Sequence, residues 1–154
     1  MKKIVSINKK IIPRKREYDL SFNDTNYINQ LYLDEDFDKK NTIIKELKKK
    51  LSSYLAQDKK KNRPYDKKKY INYDELLCHL VKSKLRCYYC KVKVMLLYNN
   101  IREPKQWTLD RIDNNQPHNT DNVVISCLKC NLERRRRNDK KFLMGKQMKI
   151  IKKY

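Results

Sequence analysis

Cys87-x-x-Cys90 and Cys127-x-x-Cys130 are the residues best suited to chemistry in this chain. A Cys-x-x-Cys turn aims two sulfurs at one ion, and two such turns supply the tetrahedral four-thiolate set that zinc prefers. Protein would then fill every coordination position, so this zinc would be structural, with no open place for water. Redox-active cysteine pairs are the alternative, but they belong to a surrounding βαβ pattern that the sequence lacks. Cys78, beside His79, lies away from both pairs. It reads as a buried free cysteine next to a structural histidine, not as part of a metal site.

Residues 91–126, between the pairs, exceed the spacer of a simple zinc ribbon and must fold as an insert. "CYYCKVKVMLLY" predicts a knuckle running into a strand, and "KQWTLDRI" a second strand burying Trp107, Leu109 and Ile112. "DNNQPHNTDN" is a polar loop, "VVIS" a brief strand, and "LKCNLERRRRNDKKFLM" a helix that begins near Cys127. Four successive arginines, Arg134 to Arg137, wrap around that helix, so at least two must face outward. They are expected to contact phosphate beside the site, positioning a nucleic-acid backbone without reading bases.

The knuckle, "LDRID" at 109–113, Asn122 in "DNVVISC" and "CLKCN" ending at Asn131 together resemble the HNH, or ββα-metal, endonuclease family. The resemblance covers about Cys87 to Arg137, a third of the chain. It implies a small α+β core in which two strands and a helix clamp one divalent ion. By motif position Asp110 and Asn131 look like its ligands, and their hard oxygen atoms suit magnesium or manganese. Such an ion would stabilise charge on the leaving oxygen of a cut phosphodiester. Asn122, by its family position, bridges the loop and orients the base. Where the family carries its general-base histidine, this chain has Arg111, which cannot accept a proton near neutral pH. Three outcomes stay open. Asp113 serves as base, His118 swings in from the loop, or the site is inert and Arg111 only grips phosphate.

Other elements must position these groups. "NTIIKELKKKLSSYLAQ" predicts a helix capped by Asn41 or Thr42, with Ile43, Ile44, Leu47, Leu51, Tyr54 and Leu55 on one face and lysines on the other. "DKKKNRPYDKKKY" reads as a charged linker. Asn72, with Glu75 three residues on, predicts a capping box opening a helix with Leu76, Leu77, Leu80, Val81 and Leu85 buried. The resulting organisation is a basic, irregular arm at 1–40 with at most a short strand, a helix and linker at 41–71, the zinc-knuckle domain at 72–140, and a basic tail at 141–154.

Composition narrows the function classes. Lys and Arg number 39 against 18 Asp and Glu, a net charge of +21. Such an excess attracts polyanions, and counterions released from DNA or RNA add free energy. The hydrophobic fraction is only 39%, so one modest core needing a staple is expected. A single glycine excludes Gly-rich phosphate loops and leaves tight turns to Asn and Asp. No apolar run suits a signal peptide or a membrane span, so an intracellular setting is expected. The expected activity is metal-dependent hydrolysis of nucleic acid, DNA first, with a catalytically inert DNA- or RNA-binding module as the rival.

Overall fold

The computed structural model describes Tyr18 and residues 24–148. The basic stretch at 2–16 and the end of the tail fall outside the described residues. The chain is α+β. Its elements are α1 (Asp24–Tyr32), α2 (Lys40–Lys60), α3 (Tyr73–Lys82), β1 (Trp107–Arg111), a 3-10 turn at Thr120–Asn122, β2 (Val123–Cys127), α4 (Leu128–Arg134) and α5 (Asp139–Gln147).

β1 and β2 form an antiparallel pair that sets Trp107 opposite Cys127 and Asp110 opposite Val124. Two strands alone leave an edge of unpaired backbone groups. α2 closes that edge with side chains. The Tyr54 hydroxyl accepts the Leu109 N–H at 3.1 Å. Lys50 donates to the Trp107 carbonyl and to Gln106 Oε1, while its ammonium lies 4.4 Å from the Trp107 ring centre. The helix is therefore docked on the sheet, its apolar face inward.

The α2 face is the one its periodicity predicts, with Ile43, Leu47 and Tyr54 buried and Ile44, Leu51 and Leu55 packed against them. Its N-cap, however, is Lys39, without a side-chain bond, and not Asn41 or Thr42. At α3 the Asn72–Glu75 capping box is complete, at 2.9 and 2.8 Å. Leu76, Leu77, Leu80 and Leu85 are buried there, and Val81 is half-buried.

Several expectations are corrected. The arm holds α1, whose Ile28 and Leu31 enter the core beside α3. The stretch after Cys90 makes only single bridges, Arg86 with Lys93 and Met95 with Gln106, instead of a strand. Ile112 stays 38% exposed, because it lies just beyond the end of β1. The expected single helix after Cys127 breaks at Arg135 (φ 53°), and α5 restarts from Asn138, whose side chain accepts the Lys141 N–H at 3.1 Å. α5 spans the boundary drawn at 140 and buries Phe142. Left-handed backbone falls at Asp34 and Asn62, but also at Lys39, Lys84, Leu85, Lys91 and Arg135. The one glycine, Gly145, sits inside α5, so ordinary side chains bear that strain.

Candidate functional site

The sulfurs of Cys87, Cys90, Cys127 and Cys130 all lie within 4.8 Å of one another. A zinc ion bonded at about 2.3 Å to four sulfurs in a tetrahedron sets them about 3.8 Å apart. Cys90 and Cys127 are at 3.8 Å. One backbone bond ties the first knuckle to β2, and a bond to sulfur closes the second knuckle. The Tyr88 N–H reaches the Ile125 carbonyl at 2.8 Å, and the Cys127 sulfur, capping α4, accepts the Cys130 N–H at 3.4 Å. A hydrogen bond from Cys127 pulls the Cys87 thiol well below its ordinary value, and the same bond, with burial, pushes Cys127 up. Four sulfurs this close cannot all ionise unless a cation sits among them, so the donor set fits a metal ion such as zinc.

The closed knuckle holds α4 against β1 and brings Asp110 and Asn131 to the wall of one open cleft of about 1130 Å³. Their partners differ from those a second metal ion would require. Asp110 is 4% exposed. Its Oδ2 accepts from the Tyr89 hydroxyl and from Arg134 Nε, both at 2.7 Å, and its Oδ1 accepts from Arg134 Nη2 at 3.1 Å. Arg134 is completely buried and donates as well to the carbonyls of Arg111 and Arg137. It cannot reach a nucleic-acid phosphate, contrary to expectation, because its guanidinium is consumed inside the core. Asn131 turns its amide towards Thr108 Oγ1 at 3.0 Å and the Leu109 carbonyl at 3.5 Å. A guanidinium already occupies the cationic place beside Asp110. Magnesium or manganese therefore does not fit the Asp110–Asn131 pair in this arrangement.

The other face of β1 carries a different constellation. His118 is 4% exposed and stacks at 4.5 Å on Tyr54. Its Nδ1 lies 2.7 Å from Asp58 Oδ2, and its backbone N–H donates to the same oxygen at 2.9 Å. Asp58 Oδ1 takes Arg63 Nη1 at 3.1 Å and has Arg111 Nη1 at 3.7 Å. Burial works to raise the Asp58 carboxyl, but the backbone and ring bonds of His118, with the charge of Arg111, outweigh it and hold it below the usual range. Burial lowers His118 from its ordinary value against the opposing pull of Asp58, and Arg111 and Arg63 add to the lowering. The ring is thus neutral at neutral pH.

The loop that carries His118 is stapled by Asn122. Its Oδ1 accepts the Asp113 N–H at 2.9 Å, and its Nδ2 donates to the carbonyls of Asp113 and Pro117 at 3.0 Å. Arg111 Nη1 braces the loop from below, on the carbonyls of Asn114 and Gln116 at 3.1 and 3.2 Å. Asp113 turns its carboxylate onto its own loop, accepting the Asn115 N–H at 2.9 Å. Asp113 and His118 both line the cleft.

Exposed Arg135, Arg136 and Arg137 line the same cleft together with Lys61 and Arg63. Asp58 and Arg63 are candidates from outside the Cys87–Arg137 segment. One signal for Asp58 exists: it continues the Ile43, Leu47, Tyr54 face of α2 as the only acid on a core-facing stripe. Cys78 stays outside the metal cluster, and His79 Nε2 bonds the Thr120 carbonyl at 3.0 Å. Among the described residues no helix is long and apolar enough to cross a membrane. No family model, curated protein or solved structure matches this chain.

Proposed function

We propose that this chain hydrolyses phosphodiester bonds in nucleic acid, DNA first, as a zinc-knuckle relative of the HNH (ββα-metal) endonucleases. One observation carries the proposal: a buried histidine, His118, opens onto a cleft lined by Arg135, Arg136 and Arg137 beside Asn131. Zinc on the four cysteines is structural and holds α4 against β1. The arginines draw the phosphate backbone into the cleft, and His118 accepts the proton of the attacking water. Water oxygen bonds to phosphorus as the bond to the leaving oxygen breaks. That oxygen takes a proton from solvent, and His118 returns its own proton to solvent.

The test is plasmid nicking by the zinc-loaded chain, with and without added magnesium or manganese. His118→Ala is expected to lower the rate by about 10²–10⁴-fold, the usual contribution of a general base. Undiminished nicking by this variant would refute the assignment. The sealed Asp110–Arg134 pair favours one second reading, a catalytically inert DNA- or RNA-binding module on the same zinc scaffold. Salt-sensitive binding without cleavage under any divalent ion would establish that alternative.

A further inference from the structure

We infer that Asp58, contributed by the last turns of α2, is a positioning residue that fixes the His118 ring for proton acceptance, so that the site is completed from the lysine-rich N-terminal half of the chain. The inference rests on the phosphodiester hydrolysis proposed above and adds to it a residue outside the Cys87–Arg137 segment.

The geometry is that of a carboxylate set to hold one tautomer. Asp58 Oδ2 takes both the backbone N–H and the ring Nδ1 of His118, at 2.9 and 2.7 Å. An ionised carboxylate only accepts hydrogen bonds, so Nδ1 must carry the ring proton. The lone pair is left on Nε2, which bonds no described residue while His118 lines the cleft. A carboxylate behind Nδ1 also stabilises the imidazolium that forms when Nε2 takes a proton.

Asp58 is itself held fast. Its side chain is 3% exposed, with the Arg63 guanidinium at 3.1 Å and that of Arg111 at 3.7 Å from Oδ1. The groups facing the His118 ring are Asp58 and Tyr54 from α2, Arg111 from β1 and Arg63 from the turn after α2. Only Asp58 among them is anionic. Arg111, at the position where the resemblance places a base, thus contributes a cation that orients the acid behind His118. The proton-accepting nitrogen has moved to the loop, and a helix from outside the motif supports it.

The experiment uses the full, zinc-loaded chain labelled with ¹⁵N-histidine. The chain has only two histidines, so the spectrum is easily assigned, with His79 as internal reference. In the wild type His118 is expected as the Nδ1–H tautomer with Nε2 unprotonated. Asp58→Asn is expected to shift that population towards Nε2–H and to slow nicking by about 10²–10⁴-fold at unchanged KM. Asp58→Glu should restore the Nδ1 proton and part of the rate. An Nε2–H tautomer in the wild type overturns the inference even if Asp58→Asn fails to fold. So does an Asp58→Asn protein that keeps wild-type tautomer and rate. A wild type that cuts neither DNA nor RNA removes the hydrolysis on which the inference rests, and the tautomer separates that failure from a misplaced Asp58.

Discussion

Replacing Arg134 by Met is the most informative perturbation of the core. Arg134 donates to both oxygens of Asp110 and to the carbonyls of Arg111 and Arg137, with no solvent exposure of its own. Its loss leaves Asp110 buried with only the Tyr89 hydroxyl at 2.7 Å. Removing one partner of a buried ion pair costs about 3–5 kcal/mol. That is a large part of the roughly 5–15 kcal/mol that holds a domain together. At about 2–4 °C per kcal/mol for a chain of this size, the melting temperature should fall by roughly 6–20 °C. The double variant Asp110→Leu/Arg134→Met removes both charges, and should recover to within about 2 kcal/mol of wild type, the remainder being the orphaned Tyr89 hydroxyl and the Arg111 and Arg137 carbonyls that lose their donor. Urea unfolding with zinc present measures all three proteins. The same assay decides the second metal. A ligand at a hundred times its Kd stabilises by about 2.7 kcal/mol, so a magnesium ion seated on Asp110 would be plainly visible. We expect no stabilisation of the wild type by magnesium. Arg134→Met within about 1 kcal/mol of wild type, or a magnesium effect that vanishes in Asp110→Asn, would refute the account of a sealed ion pair.

Acid should weaken the fold through His118 first. Its folded pKa lies below the ordinary 6.5, so the unfolded chain takes up the proton earlier. Its contribution is full above about pH 6.5 and is lost as pH falls through the lowered folded value, with Asp58 following below its ordinary 3.8. Urea midpoints at about pH 7.5 and 5.5 should differ more for the wild type than for His118→Gln, and equal differences would contradict the burial of a neutral ring. Removing the zinc, by chelator or by Cys130→Ser, should unfold the β1–β2–α4 unit and abolish the proposed nucleic-acid cleavage together. Circular dichroism and metal content check this, and a fully folded metal-free chain would show that the cysteine cluster is dispensable.

Local chemistry was legible in the residues themselves. The paired Cys-x-x-Cys spacings announce a shared ion because a tight turn fixes where both sulfurs point. Asn72 and Glu75 announce a helix start because a capping box lies within one turn of chain. The α2 stripe and the two strands at 107–111 and 123–127 follow from periodicity. α1 was missed because "DTNYINQLY" buries only Ile28 and Leu31, too few apolar residues to mark a period. The tertiary structure alone decided which charges meet. Asp110 and Arg134 are 24 residues apart, and Asp58 and His118 are 60 apart. A motif can place a carboxylate at a strand end, but whether its oxygens face an ion or a guanidinium depends on which side chain α4 delivers there when it docks. In the same way, the sequence offers His118 as a candidate base, but only the docking of α2 on the open edge of β1 puts Asp58 behind its ring. Such pairings are set by the packing of distant elements and by the need to neutralise every charge taken out of water, which no short stretch of sequence encodes.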